Sequence, residues 1–364
     1  MPDAFKGPLF TDLYELTMAA AYFDHGRHLQ PATFSLYIRG PAAPRNYYLA
    51  AGLESALAEL AAFAFTPGDL AYLETLGLFR PEFLEHLADL RFTGEVAALP
   101  EGTVFFPDEP LLEITAPVLE AQLLETLLLN TLGTATLLAS KAARCVTAAR
   151  GRHLVDFALR RTHGADAGLF LARSSYIAGF AATSNVLAGQ RYGIPTSGTM
   201  AHSFVTAFAS ELDAFRAFAQ TFPQNTVLLI DTNDTLEGAR RAAIVGREMA
   251  ARGQALKGVR LDSGDMVALS REVRRLLDEA GLPQVQIVAS SGFDEFKIAA
   301  AVAAGAAIDA FGVGTRVGVS ADGTRLAYAT RREDQDVESR DLAHGRAWRI
   351  ASSSALATIA VSRL

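Results

Sequence analysis

One cysteine, Cys145, stands in 364 residues, which excludes a disulfide framework and any cysteine-cluster metal site. Excess positive charge is missing as well: 33 basic residues against 40 acidic ones leave a net charge of -7. A general nucleic-acid binder is therefore not expected, although a local basic pocket is compatible with the balance. No apolar stretch reaches the ~20 residues of a membrane span, because Asp, Glu, Lys or Arg interrupts each candidate. The opening MPDAFKGPLFTD has no hydrophobic signal-peptide core. These absences predict a soluble cytoplasmic protein with neither nucleic-acid nor membrane partners. A Walker A sequence, a G-x-G-x-x-G turn opening a strand–helix unit, an H-E-x-x-H helix and a G-x-S-x-G elbow are all lacking. Standard nucleotide cradles and serine-hydrolase chemistry are thus not expected. Low-complexity linkers and short repeats are absent too.

What is present is apolar and long. Half of the residues are hydrophobic and 20% are charged, over a length that predicts two domains or one large α/β domain with an appendage. The N-terminal third is mixed. TFSLYIR (33–39) alternates Phe34, Leu36 and Ile38 like a strand, whereas 49–65 and 67–78 read as helices. Thr66-Pro67 and Pro81 mark helix starts. GEVAAL, TVFF and LLEI, separated by Pro-rich turns, predict a small antiparallel sheet. A long apolar helix follows Pro117, with a break expected at Gly133.

After residue 150 the pattern becomes regular. HLVDFAL, IPTSG, TVLLID, GVRLD, VQIVAS and AIDAFGVG read as buried strands alternating with helices. That alternation means a parallel sheet covered by helices. Periodicity leaves open whether the sheet closes; the clusters at the strand ends favour a barrel. Those clusters include Asp156 to Arg161, Ser197 to Ser203, Asp231 to Thr235, Arg260 to Asp265, Ser290 to Gly292, and Gly312 to Thr315. Ligands bind at the C-terminal strand edge of parallel α/β folds. Arginines and Ser/Gly/Thr loops suit phosphate. Asp231, Asp262 and Asp265 suit a diphosphate-borne Mg²⁺ or ribose hydroxyls. The residues alone thus predict a phosphorylated-sugar pocket with a metal. Taken singly, each cluster also has a plain reading: Asp231 and Asp262 as helix caps, Gly-Val-Gly-Thr as a turn, Arg160 and Arg161 as surface ion pairs.

Several of these segments together resemble the nicotinate phosphoribosyltransferase family. The resemblance is carried by TDLYELTM (11–18), FALRRTHG (157–164), TSNVLAG (183–189), GTMAHSFV (198–205), VRLDSGD (259–265) and FGVGTR (311–316), in order along the chain. It implies the type II phosphoribosyltransferase fold, an irregular, incomplete α/β barrel with an N-terminal α/β sandwich domain. The implied domains are 1–120, joined by 320–364, and a catalytic barrel over 121–319. It further implies a homodimer with the active site across the interface. The implied reaction joins nicotinate to 5-phosphoribosyl 1-diphosphate, releasing pyrophosphate and forming nicotinate mononucleotide in NAD salvage. The implied requirements are Mg²⁺ and ATP, with ATP hydrolysis coupled through a phosphorylated histidine. Two segments depart from the family's pattern: LGTA (132–135) after the long helix, and a short charged C-terminal stretch from Val317 containing RREDQDVESRD.

Roles follow by position from the resemblance. His202 is the phosphorylated histidine. Tyr14, reaching across the dimer, and Phe157 sandwich the pyridine ring. Arg160 and Arg260 face the substrate carboxylate and phosphates. Asp231 and Asp262 order the ribose, the diphosphate and its Mg²⁺. Ser291, Gly292, Gly314 and Thr315 hold the 5-phosphate, and Thr183, Ser184 and Ser203 complete the substrate contacts. Ser184 bears on specificity, because relatives using nicotinamide carry an acid there. A serine donates to the nicotinate carboxylate, which an acid repels. The alternatives are a nicotinamide or quinolinate phosphoribosyltransferase, or a non-catalytic barrel that binds phosphorylated metabolites. A sugar-phosphate isomerase or aldolase is disfavoured, since Lys6, Lys141, Lys257 and Lys297 are not placed at strand ends for Schiff-base chemistry.

Overall fold

The computed structural model describes residues 7–39, 46–319 and the backbone of 357–362. Its chain divides into two compact units at Ser140/Lys141. In the first, the elements run α1 (Leu13–Asp24), β1 (Pro31–Ile38), β2 (Tyr48–Leu49), α2 (Leu53–Ala61), α3 (Pro67–Thr75), α4 (Pro81–Asp89), β3 (Glu95–Ala98), β4 (Val104–Phe105), β5 (Pro110–Pro117), α5 (Val118–Leu123) and α6 (Glu125–Ala149). β1 buries Phe34, Leu36 and Ile38 on one face, as its alternation requires. It pairs antiparallel with β5, and β5 with β3. The core adds Phe83 and Leu87 from α4 and Leu73 from α3. Each such buried side chain contributes about 1.5–3 kcal/mol.

Three local expectations change. The helix expected from Leu49 begins at Leu53, because Tyr48 and Leu49 pair with Phe105 and Val104 as strands. The long helix after Pro117 breaks at Leu124 rather than at Gly133. A glycine inside a helix costs only about 1 kcal/mol relative to alanine and does not by itself stop it. The unit boundary lies at Ser140 and not at residue 120. Its physical reason is that Leu127, Leu128 and Leu132 of α6 pack into the same core as β1 and β5. The backbone N–H of Leu49 also donates to Ser140 Oγ at 2.9 Å.

The second unit holds β6 (His153–Asp156), α7 (Ala165–Ile177), β7 (Ala182–Thr183), α8 (Val186–Tyr192), α9 (His202–Thr206), α10 (Glu211–Thr221), β8 (Val227–Leu229), α11 (Thr235–Ala250), β9 (Gly258–Leu261), α12 (Met266–Glu279), β10 (Gln286–Ser290), α13 (Glu295–Ala303), β11 (Ala310–Val313) and α14 (Thr315–Gly318). The strands form one six-stranded sheet in the order β7-β6-β11-β10-β9-β8, with every pairing parallel. Read around the sheet, this is chain order with β11 returning to β6. Such an order belongs to a barrel opened between β7 and β8, the incomplete α/β barrel. β11 is buried at all four positions, which is why AFGV reads as a continuous apolar run. Phe215, Val245, Met249, Val273 and Leu277 from the covering helices complete the core against Val259, Leu261 and Ile287. IPTSG does not form the expected strand: Thr196 makes a single bridge to Thr183, and the edge strand is the Ala182–Thr183 pair instead.

The C-terminal strand β12 (Ala357–Ser362) pairs antiparallel with β1, so this part of 320–364 joins the first unit's sheet. The charged stretch RREDQDVESRD lies outside the described residues. Among the described residues no helix is long and apolar enough to cross a membrane.

Candidate active site

The C-terminal ends of the six parallel strands carry the clusters singled out above, and a cavity of about 580 Å³ opens between them. From β7 to β8 along the sheet edge come Ser184, then Phe157 with Arg160, then Gly314 with Thr315, then Ser291 with Gly292, then Asp262, and last Asp231. All but Asp231 line the cavity, and Arg260 lines it too.

The helix caps separate the plain readings from the chemical ones. Asp234 caps α11 by accepting from Glu237 N, and Asp265 caps α12 by accepting from Val267 N and Ala268 N. Asp231 and Asp262 therefore cap neither helix, while the Asp265 carboxylate is committed to α12. Likewise Asn185, not Ser184, caps α8. The residue before α9 is Ala201, with no side-chain cap, so His202 is not a capping residue.

Three polar contacts tie the loops after β8, β9 and β10. Asp231 Oδ2 accepts from Asp262 N at 2.8 Å and from Ser263 Oγ at 2.6 Å. Asp262 Oδ1 accepts from Ser290 Oγ at 2.7 Å. Arg260 Nη1 donates to Thr199 Oγ1 at 2.5 Å. Burial pulls the Arg260 pKa below the ordinary arginine value, against the opposing pull of Asp262 and Asp231; the guanidinium remains charged at neutral pH. His202 is half-buried. Its Nδ1 lies 3.1 Å from Thr232 Oγ1, and its Nε2 lies 3.8 Å from Asp262 Oδ2.

Phe157 sits directly over β11. A Cβ on Gly312 would stand 2.5 Å from the Phe157 ring, so only a glycine lets the ring lie there. Gly292 has φ +56° and opens the loop after β10. Lys297 Nζ stands 3.7 Å from the point where a Gly292 Cβ would lie.

Beside the cavity, and among the described residues, the buried atoms Asp231 Oδ1 and Arg260 Nε have no hydrogen-bond partner. An unsatisfied carboxylate oxygen next to Asp262 fits a cation that arrives with its ligand. Among the described residues no group of three or more His, Cys, Asp or Glu is placed to hold a metal by protein ligands alone. That donor set suits a Mg²⁺ held chiefly by a diphosphate.

Of the residues expected from sequence, Phe157, Arg160, Ser184, Arg260, Asp262, Ser291, Gly292, Gly314 and Thr315 share the cavity. Thr183, Asp231, His202 and Ser203 do not line it. Thr183 and Asp231 are buried behind it, His202 adjoins Asp262, and Ser203 is exposed on α9. Tyr14 belongs to the first unit, on α1, where it is 45% exposed. Its phenol donates to the Glu125 carboxylate, and partial burial followed by that charge pushes its pKa upward. Sequence reasoning assigned no part to Thr199, Thr232, Ser263 or Ser290, although all stand in the quoted clusters; their partners lie 28 to 61 residues away. Lys297, read from sequence as not placed at a strand end, stands in the first turn of α13 beside the loop after β10.

Comparison with known proteins agrees with this geometry. Residues 9–133 match the nicotinate phosphoribosyltransferase N-terminal domain model, and residues 152–336 match the nicotinate phosphoribosyltransferase family model. The nicotinate phosphoribosyltransferase pncB2 of Mycobacterium tuberculosis (strain H37Rv) is 52% identical over 334 residues, spanning 92% of this chain and 72% of the relative. That of Bacillus subtilis is 42% identical over 310 residues, 85% of this chain and 63% of the relative. The crystal structure of human nicotinic acid phosphoribosyltransferase superposes with a TM-score of 0.76 at 34% identity, covering 83% of this chain and 72% of the human one. The chain belongs to the nicotinate phosphoribosyltransferase family.

Proposed function

We propose that this chain joins nicotinate to 5-phosphoribosyl 1-diphosphate, giving nicotinate mononucleotide and pyrophosphate in NAD salvage. The observation that carries the reading is the order of groups along the sheet edge. Ser184, Phe157 and Arg160 stand after β7 and β6; the glycine loops stand after β11 and β10; Arg260, Asp262 and Asp231 belong to β9 and β8. Two substrates side by side, a flat acid and a sugar that carries a 5-phosphate and a diphosphate, match that sequence of groups. The cavity volume falls in the usual small-molecule range of about 300–1,000 Å³.

The chemistry asks the protein mainly to position and to stabilise charge. The pyridine nitrogen attacks the anomeric carbon with its own lone pair, and the bond from that carbon to the diphosphate breaks. No general base is needed. Phe157 supports one face of the ring, a contact worth about 1–3 kcal/mol by analogy with base stacking. Arg160 and Ser184 offer a cation and a hydroxyl to the substrate carboxylate. Ser291, Gly292, Gly314 and Thr315 cradle the 5-phosphate, with the Lys297 ammonium beside Gly292. Arg260 meets the departing diphosphate from a half-buried position, where its charge acts more strongly than in bulk water. Asp231 Oδ1 and Asp262 would meet a Mg²⁺ arriving with the diphosphate, which would supply charge neutralisation to the leaving group.

ATP coupling through His202 is part of the same proposal. Thr232 engages Nδ1, which leaves Nε2, on the Asp262 side, as the nucleophilic nitrogen. A phosphate there adds negative charge beside the diphosphate-binding residues and alters their hold on substrate and product. His202→Ala is expected to abolish nicotinate-dependent ATP hydrolysis while leaving slow mononucleotide formation; persistent hydrolysis would remove His202 from the coupling. Tyr14, presented on α1, is proposed as the second face of the ring sandwich in a homodimer.

The deciding assay supplies Mg²⁺, 5-phosphoribosyl 1-diphosphate and nicotinate, nicotinamide or quinolinate in turn, with and without ATP. Nicotinate mononucleotide, stimulated by ATP, is expected. Product from nicotinamide or quinolinate instead would reassign the substrate. No product from any of them would leave a non-catalytic phosphometabolite binder.

A further inference from the structure

A buried carboxylate outside the roles above carries an inference of its own, resting on the proposed reaction. Asp156 ends β6 and is 1% exposed. Its Oδ1 accepts from the backbone N–H of Ala158 at 2.8 Å. Its Oδ2 accepts from Thr183 Oγ1 at 2.7 Å. Its main-chain carbonyl accepts from Ser184 N at 2.8 Å. Thr183 Oγ1 in turn accepts from Asn185 N at 3.0 Å, and the Thr183 carbonyl accepts from Ser197 N at 2.9 Å. One residue thus fastens the turn between Phe157 and Arg160 to the loop that presents Ser184, and through Thr183 reaches the strand-end segment leading to Thr199.

Both carboxylate oxygens are used, and both accept from uncharged donors. An amide cannot reproduce this, because it offers one oxygen only. Among the described residues its hydrogen-bond partners carry no charge; burial pushes its pKa up, against the two hydrogen bonds that pull it down. Such an acid is costly unless both acceptors are needed. The groups it fastens all stand at the β7–β6 end of the sheet edge, where the pyridine is assigned. The diphosphate residues are fastened separately by Asp231, Asp262 and Ser290 at the β8–β10 end.

We propose that Asp156 is the positioning residue of the pyridine subsite, setting Phe157 and Arg160 against Ser184 so that the ring and its carboxylate are gripped together. It touches no reacting atom and acts through those three side chains.

The test uses the full-length protein and three variants: Asp156→Asn, Thr183→Val and the double variant. Each is first melted to establish that it is folded. Loss of a buried hydrogen bond to a carboxylate is expected to raise the nicotinate KM by about tenfold or more in each single variant. The KM for 5-phosphoribosyl 1-diphosphate is expected to stay within about twofold, which a general structural defect does not do. Selectivity for nicotinate over nicotinamide is expected to fall in parallel. The double variant is expected to be little worse than the worse single one, because both remove the same link. Should Asp156→Asn not fold, Thr183→Val carries the same comparison. Equal changes in both KM values, a loss confined to kcat, or no change would each overturn the inference while the parent enzyme remains active. A parent protein inactive on nicotinate would overturn the proposed function itself, and this inference with it.

Discussion

At the scale of single residues, side chains at the strand ends are set by close approach and by long-range partners. The Phe157 ring occupies the space that any Gly312 side chain would need. Gly312→Ala is expected to displace that ring, to cost about 1–3 kcal/mol of stability through overpacking, and to raise the nicotinate KM. Urea unfolding and steady-state kinetics check both effects. Arg260 is held by its bond to Thr199 with a buried guanidinium. Lysine brings a point charge without the planar fork that spans Thr199 and a phosphate oxygen. Arg260→Lys is therefore expected to lower kcat/KM for 5-phosphoribosyl 1-diphosphate by about 10²-fold, with stability nearly unchanged. Residue types and order identified this group of candidates. The hydroxyl partners Thr199, Ser263 and Ser290 emerged only from coordinates, because nothing local in sequence says which acid or cation a given serine or threonine will meet.

At the scale of elements, the β8–α11 and β9–α12 junctions divide the labour between an acid near the strand end and a second acid at the helix start. Asp231 and Asp262 bind across the sheet edge, while Asp234 and Asp265 satisfy the first N–H groups of α11 and α12. Asp265→Ala is expected to cost about 1 kcal/mol by loss of the cap. Its KM values are expected to match the parent, with stability read by chemical denaturation. In sequence, Asp231 and Asp262 also read as caps and Asp265 as a ligand; the caps are Asp234 and Asp265, three residues further on. Element boundaries followed sequence where punctuation was strong, as at Thr66-Pro67, where α3 starts and Thr66 forms a capping box with Asp69. They departed where pairing overrode local preference, as at Tyr48 and Leu49.

At the scale of the whole molecule, burial of acids leaves a signature in the pH dependence of stability. Glu15 on α1 is fully buried, accepting from Thr11 Oγ1 at 2.5 Å and from Thr126 Oγ1 at 2.5 Å. Burial raises its pKa, and the two threonines oppose that shift only in part. The folded state therefore holds the Glu15 proton more tightly than the unfolded chain. The stability gained from that proton is complete below the unfolded value, near pH ~4.3, and is lost as pH rises through the raised folded value. In Glu15→Gln this loss is absent. The stability of the variant minus that of the parent is expected to increase from pH 4 towards pH 7, whatever constant offset the lost hydrogen bonds impose; denaturation at several pH values measures it. A flat difference would mean that Glu15 titrates alike folded and unfolded.

Composition and order by themselves determined an α/β chain with a covered parallel sheet and a phosphate-binding edge; the phosphoribosyltransferase family came from the resemblance of its motifs. Continuous apolar strands between helices require a covered parallel sheet, and polar clusters at successive strand ends must then share one edge. Tertiary structure alone decided that the sheet opens between β7 and β8, that α6 belongs in part to the N-terminal core, and which partners Asp156, Thr199 and Ser290 meet. The reason is range. Periodicity and capping act over a few residues and are written locally, whereas strand neighbours and hydroxyl partners are chosen by packing among segments tens of residues apart, where many pairings satisfy the same local pattern.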